Sequence, residues 1–180
     1  TGSETDTLVF TVAVAIARRS AGHVKFLHIR PDLQAIVAAM AASGSGGRRT
    51  NFYEIIGSLE TNMAGRQQRA ETAFHEVCER EQIVISNEAS SGTPSAEWAV
   101  ATGNEATHMT EHGRVADLIV LGYARETTAR DILEASLMHT GRPVLIVPQS
   151  MPDPATGTIV IAWKDTADAA RAVAAAQPFI

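Results

Sequence analysis

Two runs in the third quarter of the chain constrain its fold more than any other feature. They are Ala116-Asp117-Leu118-Ile119-Val120-Leu121-Gly122 and Arg142-Pro143-Val144-Leu145-Ile146-Val147-Pro148, with a charged loop and a short helical segment between them. Strands that are apolar at consecutive positions are buried on both faces. That condition belongs to a parallel sheet with helices on each side. The first run ends in Gly122, and open α/β sheets bind ligands beyond the carboxyl ends of their strands. The same stretch therefore points to the architecture and to the place where function lies.

The rest of the composition fits this class. The chain has 180 residues, 45% of them hydrophobic and 19% charged, which is ordinary for a globular protein and far from disorder. Its length accommodates one domain and part of another. A net charge of −5 argues against a nucleic-acid partner. Cys78 is the single cysteine, so there is no internal disulfide framework and no cysteine-based zinc site, and a reducing cytoplasm is the expected location. No run is long and apolar enough to span a membrane. Leu8 to Ala17 has the look of a signal-peptide core, but Glu4 and Asp6 precede it and Arg18-Arg19 follow it. That charge order is reversed for a signal and suits a helix complementing its own dipole.

Periodicity predicts a helix over residues 3–20, with Leu8, Val9, Val12, Ala13 and Ile16 on one stripe. Ser3 and Asp6 have capping-box spacing. Gly22 stops the helix, and His23 to Ile29 reads as a strand. The next helix is interrupted by the polar segment Ser43 to Thr50, resumes near Phe52 and runs to about Gln82, with Ile56, Leu59, Met63, Ala70, Phe74 and Val77 as its stripe. Ile83 to Asn87 reads as a short strand, Ala89 to Ser95 as a loop, and Asn104 to His112 as a weaker helix. A strand at 117–121, a helix at 128–140 and a strand at 143–147 follow. Thr128 and Asp131 repeat the capping spacing, and Gly141 with Pro143 is a stop signal. Gln149 to Gly157 reads as a linker. Thr158 to Trp163 then reads as a strand, Asp165-Thr166 as a turn and cap, and Ala167 to Ala176 as a helix. This restart, at a period of roughly 160 residues, indicates a tandem of whole domains.

These residues resemble the universal stress protein family in its tandem two-domain form. Thr1-Gly2-Ser3 is similar to the family's Asp-Gly-Ser turn, Val24 to Arg30 to its second strand, and Asp117 to Gly122 with Arg142 to Pro148 to its last two strands. The resemblance implies a Rossmann-like five-stranded parallel sheet of order 3-2-1-4-5 with helices on both faces. It divides the chain into a first domain at 1–148, a linker at 149–157 and the start of a second domain at 158–180. The strands expected are His23–Ile29, Ile83–Asn87, Asp117–Leu121 and Pro143–Val147, which leaves the central slot 1 without residues. Either a strand ahead of Thr1 fills that slot or Thr158–Trp163 does, and the tandem organisation favours the former. The resemblance also implies a stress-response role without turnover chemistry, and domain pairing or homodimerisation through the edge strand Pro143–Val147.

Many family members bind ATP through Gly-x-x-Gly, a spacer, then Gly-Ser or Gly-Thr. Glycines there let backbone N–H groups approach phosphates at a helix N-terminus. The corresponding nucleotide-facing positions are Thr1, Gly2, Ser3, Ile29, Leu121, Gly122, Arg125, Arg130 and Asp131. Gly122 matches. Arg125 replaces the second glycine, Arg130-Asp131 replaces Gly-Ser, and the loop is shortened. Thr1 and Lys164 stand where the two domains would carry an acidic residue facing ribose and metal. The first domain is thus expected to bind ATP weakly or not at all, and the second is the better host.

Other motifs weigh less. Ser45-Gly46-Gly47-Arg48 is superficially similar to the phosphate loop of ATP pyrophosphatases but follows a helical stretch rather than a strand. An enzyme of that type is the least favoured reading, and a pure interaction module without nucleotide is the main alternative. His108 and His112 share a helix face near Glu105 and Glu111 without an obvious third metal ligand. His28 and Cys78 read as packed residues, and Trp98 and Trp163 as single aromatics for which packing is the simpler role.

Overall fold

The structure, a computed structural model, describes residues 6–42, 49–90, 92–123, 127–150 and 159–179. Its elements in chain order are α1 (Asp6–Ser20), β1 (His23–Arg30), α2 (Leu33–Ala42), α3 (Arg49–Arg80), β2 (Val84–Ile85), β3 (Ser95–Thr102), α4 (Glu105–Gly113), β4 (Ile119–Gly122), α5 (Thr127–His139), β5 (Val144–Val147) and α6 (Ala167–Ala176), which runs into a single 3-10 turn, Gln177–Phe179.

The chain is α/β, and the named strands pair in parallel. They form two sheets among the described residues, a three-stranded one of order β1-β3-β2 and a two-stranded one, β4-β5. The helix α1 lies against β1 and also against β4 and β5, so one helix spans both sheets. No helix among the described residues is long and apolar enough to cross a membrane.

The largest departure from the sequence reading is β3. Ser95 was expected to end a loop, and 96–103 carried no assignment. Instead β3 is the central strand of its sheet, paired with β1 over eight residues from His23↔Ser95 to Arg30↔Thr102. The expected strand Ile83–Asn87 shrinks to Val84–Ile85, an exposed edge beside Ser95 and Ala96. Alanines and Glu97 hide β3 from propensity reasoning, because β-preference reflects packing on a half-buried surface more than an intrinsic backbone bias.

A second departure lies at the other end of the chain. Thr158 is outside the described residues, and 159–163 form no strand. A strand exists only against a partner that takes up its backbone groups, and among the described residues none pairs with this segment. Thr166, by contrast, caps α6 as its position suggests, accepting from the Ala169 N–H at 3.3 Å. The proposed linker falls mostly outside the described residues, as does the Ser43–Arg48 insertion.

An aromatic stack joins the main layers. Phe10 of α1 meets Phe26 of β1 with ring centroids 4.7 Å apart. Phe26 lies 5.3 Å from Phe74 of α3, and Phe74 lies 5.6 Å from Trp98 of β3. Val14, Val77, Cys78 and Ala96 complete this core, with Val120 of β4 packed at its margin. Burial pushes the Cys78 thiol up to about 11, which leaves it an inert packing residue at neutral pH.

The helices α1 and α3 end by the same device. After α1 the left-handed residue is Ala21, at φ 49°, rather than Gly22. The Gly22 N–H donates to the carbonyl of Ala17 at 2.8 Å. After α3, Gln82 takes φ 51° and the Ile83 N–H donates to the carbonyl of Cys78 at 3.0 Å. Both are Schellman-type ends that glycine fits best.

Two stability predictions follow from this packing. Phe74→Ala should cost roughly 3–5 kcal/mol, the range for deleting a buried aromatic, read as a lowered midpoint in urea unfolding. Ala21→Gly should raise stability by roughly 0.5–1 kcal/mol by relieving the left-handed backbone, read as a higher midpoint with unchanged slope.

Candidate functional site

Parallel strands gather their carboxyl ends along one edge of a sheet, and that edge is where this fold places function. In the three-stranded sheet that edge carries His28, Ile29 and Arg30 of β1 and Thr102 of β3 with Gly103 after it, and in the two-stranded sheet it carries Leu121 and Gly122 of β4 followed by Tyr123. Asp6 joins them from the start of α1, where an acidic residue complements the helix dipole.

Alternation along β1 decides which side chains share a face. Phe26 and His28 point to the side of α1 and α3, while Lys25, Leu27 and Ile29 point to the other. His28 is 7% exposed. It stacks on Trp98 of the neighbouring strand with centroids 5.8 Å apart and planes 26° apart. Burial pushes the imidazole down to about 4, and the nearby cations of Arg66 and Arg30 act in the same direction, against the opposing pull of Asp6. His28 is therefore neutral at pH 7, with one ring N–H and one lone pair to offer. The indole Nε1 of Trp98 is buried and has no hydrogen-bond partner. Leaving such a donor unpaired costs roughly 1–3 kcal/mol.

Gly103 shapes the floor of this edge. Its φ of +142° excludes ordinary side chains, and a Cβ there would lie 3.1 Å from Nε2 of His108. That ring nitrogen donates to the carbonyl of Thr102 at 3.1 Å, and the Gly103 N–H donates to the carbonyl of Arg30 at 2.8 Å. Asn104 caps α4 by accepting from the Thr107 N–H at 2.9 Å. Asp32 caps α2 in the same way, through the N–H groups of Gln34 at 2.9 Å and Ala35 at 3.2 Å. Both caps seal their helix ends internally.

The residues expected to face a nucleotide are only partly assembled. Thr1, Gly2, Ser3 and Arg125 lie outside the described residues. Leu121 and Gly122 end β4, and Ile29 is the last residue but one of β1, but those strands belong to different sheets. The helix α5 starts at Thr127, so Arg130 and Asp131 fall past its first three residues and are exposed. Among the described residues no group of three His, Cys, Asp or Glu side chains could hold a metal. The rings of His108 and His112 sit 6.2 Å apart.

Sequence reasoning passed over Asp6 as more than a cap partner and Trp98 as more than packing. The alternation of Ala96, Trp98 and Val100, ending at Gly103-Asn104, is the signal that would have found β3 and its indole.

A serine, histidine and carboxylate meet elsewhere. Nδ1 of His23 lies 2.8 Å from Oγ of Ser95 and its Nε2 lies 3.4 Å from Glu97. This group sits at the amino ends of β1 and β3, and Ser95 is only 2% exposed, so no substrate reaches its hydroxyl. It is a cross-strand clamp, completed by Lys25 donating to Glu97 at 2.9 Å. Burial raises the Glu97 pKa, but the hydrogen bonds from Lys25 and His23 outweigh it and hold the carboxyl below its usual range. A groove of about 360 Å³ also runs between α4 and α5. Its arginine, Arg114, is spent on the carbonyl of His139 at 3.0 Å.

Comparison with protein-family models, with curated proteins and with solved structures finds no match to this chain.

The buried His28 makes stability depend on pH with a defined sign. The unfolded chain binds a proton near 6.5, while the folded one resists until about 4. The stabilisation is fully present above pH 6.5 and is lost as pH falls toward 4. Roughly 2–3 kcal/mol should disappear across that window at 1.36 kcal/mol per pH unit. Urea unfolding at pH 7 and pH 4.5 measures it, and His28→Phe should flatten the dependence in that window.

Proposed function

We propose that the chain is a universal stress protein-like binding module that takes up a ligand or protein partner without turning it over. The carboxyl edge is its recognition surface. The observation that carries this reading is the parallel direction of the strands within each sheet, which leaves Arg30 exposed at the carboxyl end of β1 and Tyr123 exposed just past that of β4. Arg30 and Tyr123 offer a cation, an aromatic face and a hydroxyl to a ligand at the strand ends, and small-molecule sites fix orientation with a few such polar groups.

Support for the stress protein reading comes from the order of elements. Placing the two sheets side by side under α1 gives β2-β3-β1, a gap, then β4-β5. With the gap filled by one strand, the five central positions follow the order 3-2-1-4-5, and β2 becomes an added edge. The proposed family also gives β5 its partner role. Its outer edge carries no strand among the described residues, and Ile146 on it is exposed, which suits pairing with a second domain or a second copy.

The edge is poorly made for triphosphate. Asp6 brings an acidic group to the crevice, and Arg130-Asp131 stand where glycine and a small hydroxyl residue would cradle a phosphate. A side chain intrudes where glycine lets backbone N–H groups close in. Calorimetric titration of the chain with ATP should therefore show no binding in the micromolar range. A micromolar dissociation constant would overturn the reading of a module degenerate for ATP.

A further inference from the structure

The free edges of β1 and β4 have a counterpart in the same chain. Both strands keep one edge without a strand partner among the described residues, and they do not pair with each other. They are nonetheless held under one roof, because α1 rests on β1, β4 and β5. A helix is about 10 Å across with its side chains, and neighbouring strands lie about 4.8 Å apart. One strand inserted between β1 and β4 would set them close to one helix width apart, which suits a helix that touches both.

The counterpart is Ile159-Val160-Ile161-Ala162-Trp163. Its β-branched and aromatic residues suit a strand, and as an apolar run of five it suits a position buried on both faces. In the structure it is unpaired, with Val160 86% exposed and Ile159, Ile161 and Trp163 more than half exposed. Contiguous apolar exposure of this kind marks a surface that is covered in another state. At five residues it is one longer than β4 and long enough to pair along all of it.

We propose that residues 159–163 of this chain insert into the gap as a parallel strand, closing the two sheets into one. Three observations favour insertion within the chain. First, α6 follows the segment directly, and the turn after α6 is tied to the end of α1 by Arg19 Nη2 donating to the carbonyl of Pro178 at 3.0 Å. The end of α1 lies where β1 begins. A strand rising through the gap and a helix returning from it would leave Pro178 at that same end. Second, residues 148–158 reach roughly 36 Å when extended at about 3.3 Å per residue. That exceeds the distance down the open edge of β5 and beneath two strands. Third, tethering keeps the effective concentration of the segment high, in the millimolar range for a short flexible linker.

Insertion joins the edges of the two sheets that share the candidate site. Arg30 and Gly122, which end strands in separate sheets, would then flank the top of one inserted strand. The proposal goes beyond the binding-module reading, because the sheet closes whatever the crevice binds.

Hydrogen exchange read by mass spectrometry tests it on the unaltered 180-residue chain, with light scattering on the same samples. The amides of 159–163 should exchange at least ~100-fold more slowly than an unstructured segment, which is the signature of a paired strand. The protection should not change with protein concentration, and the chain should scatter as a monomer. Ile161→Lys should abolish protection in 159–163 and accelerate exchange in β1 and β4, while β1 remains paired with β3. Exchange of 159–163 at the unprotected rate overturns the proposal. Protection that appears only with dimers overturns it in favour of strand exchange between copies. Neither outcome touches the ATP titration, so the two readings fail separately.

Discussion

Eight residues of β1 lie in parallel register against eight of β3, from His23 opposite Ser95 to Arg30 opposite Thr102, and the rest of the molecule is arranged around that ladder. It aligns Phe26 with Trp98 and so lets α1 and α3 close on one face through a continuous aromatic stack. It puts His23, Lys25, Ser95 and Glu97 within bonding distance at the amino end. A one-residue slip would exchange the two faces of β1, sending Phe26 and His28 out of the core and breaking the charged clamp together.

The same register sets the chemistry of the opposite end. His28 owes its neutrality to its position above Phe26, where burial outweighs the attraction of Asp6. A neutral imidazole stacked on an indole extends the core toward that end without burying a charge there.

The unfinished part of the molecule is its middle. Sheets avoid exposed edges because unpaired backbone groups seek other strands. Among the described residues β1 and β4 each keep one edge without a strand partner and both lie against α1, while an apolar segment of the same chain stands exposed. The proposed insertion of that segment would join the two sheets through one short strand, and it would bring the carboxyl ends of β1 and β4 to either side of it.

The amino-acid pattern alone determined the elements whose signal is local. The helix α1, the apolar runs of β4 and β5, the strand at 23–29 and the cap at Thr166 were legible, because each is written in spacings of two to four residues. But α1 buries Phe10, Ala13, Val14 and Ala17, and of its expected stripe Leu8, Val9, Val12, Ala13 and Ile16 only Ala13 is buried. The packing of Phe74, Val77 and Cys78 was legible for the same reason. Tertiary structure alone decided that Ser95–Thr102, with its alanines and a glutamate, is a central strand. Only the partner β1 makes that sequence a good strand. It also decided that Val84–Ile85 is a mere edge, that Trp98 carries an unpaired donor beside a neutral His28, and that 159–163 is no strand where it stands. These outcomes depend on which distant segment lies alongside and how much water it excludes. A local period carries no record of either.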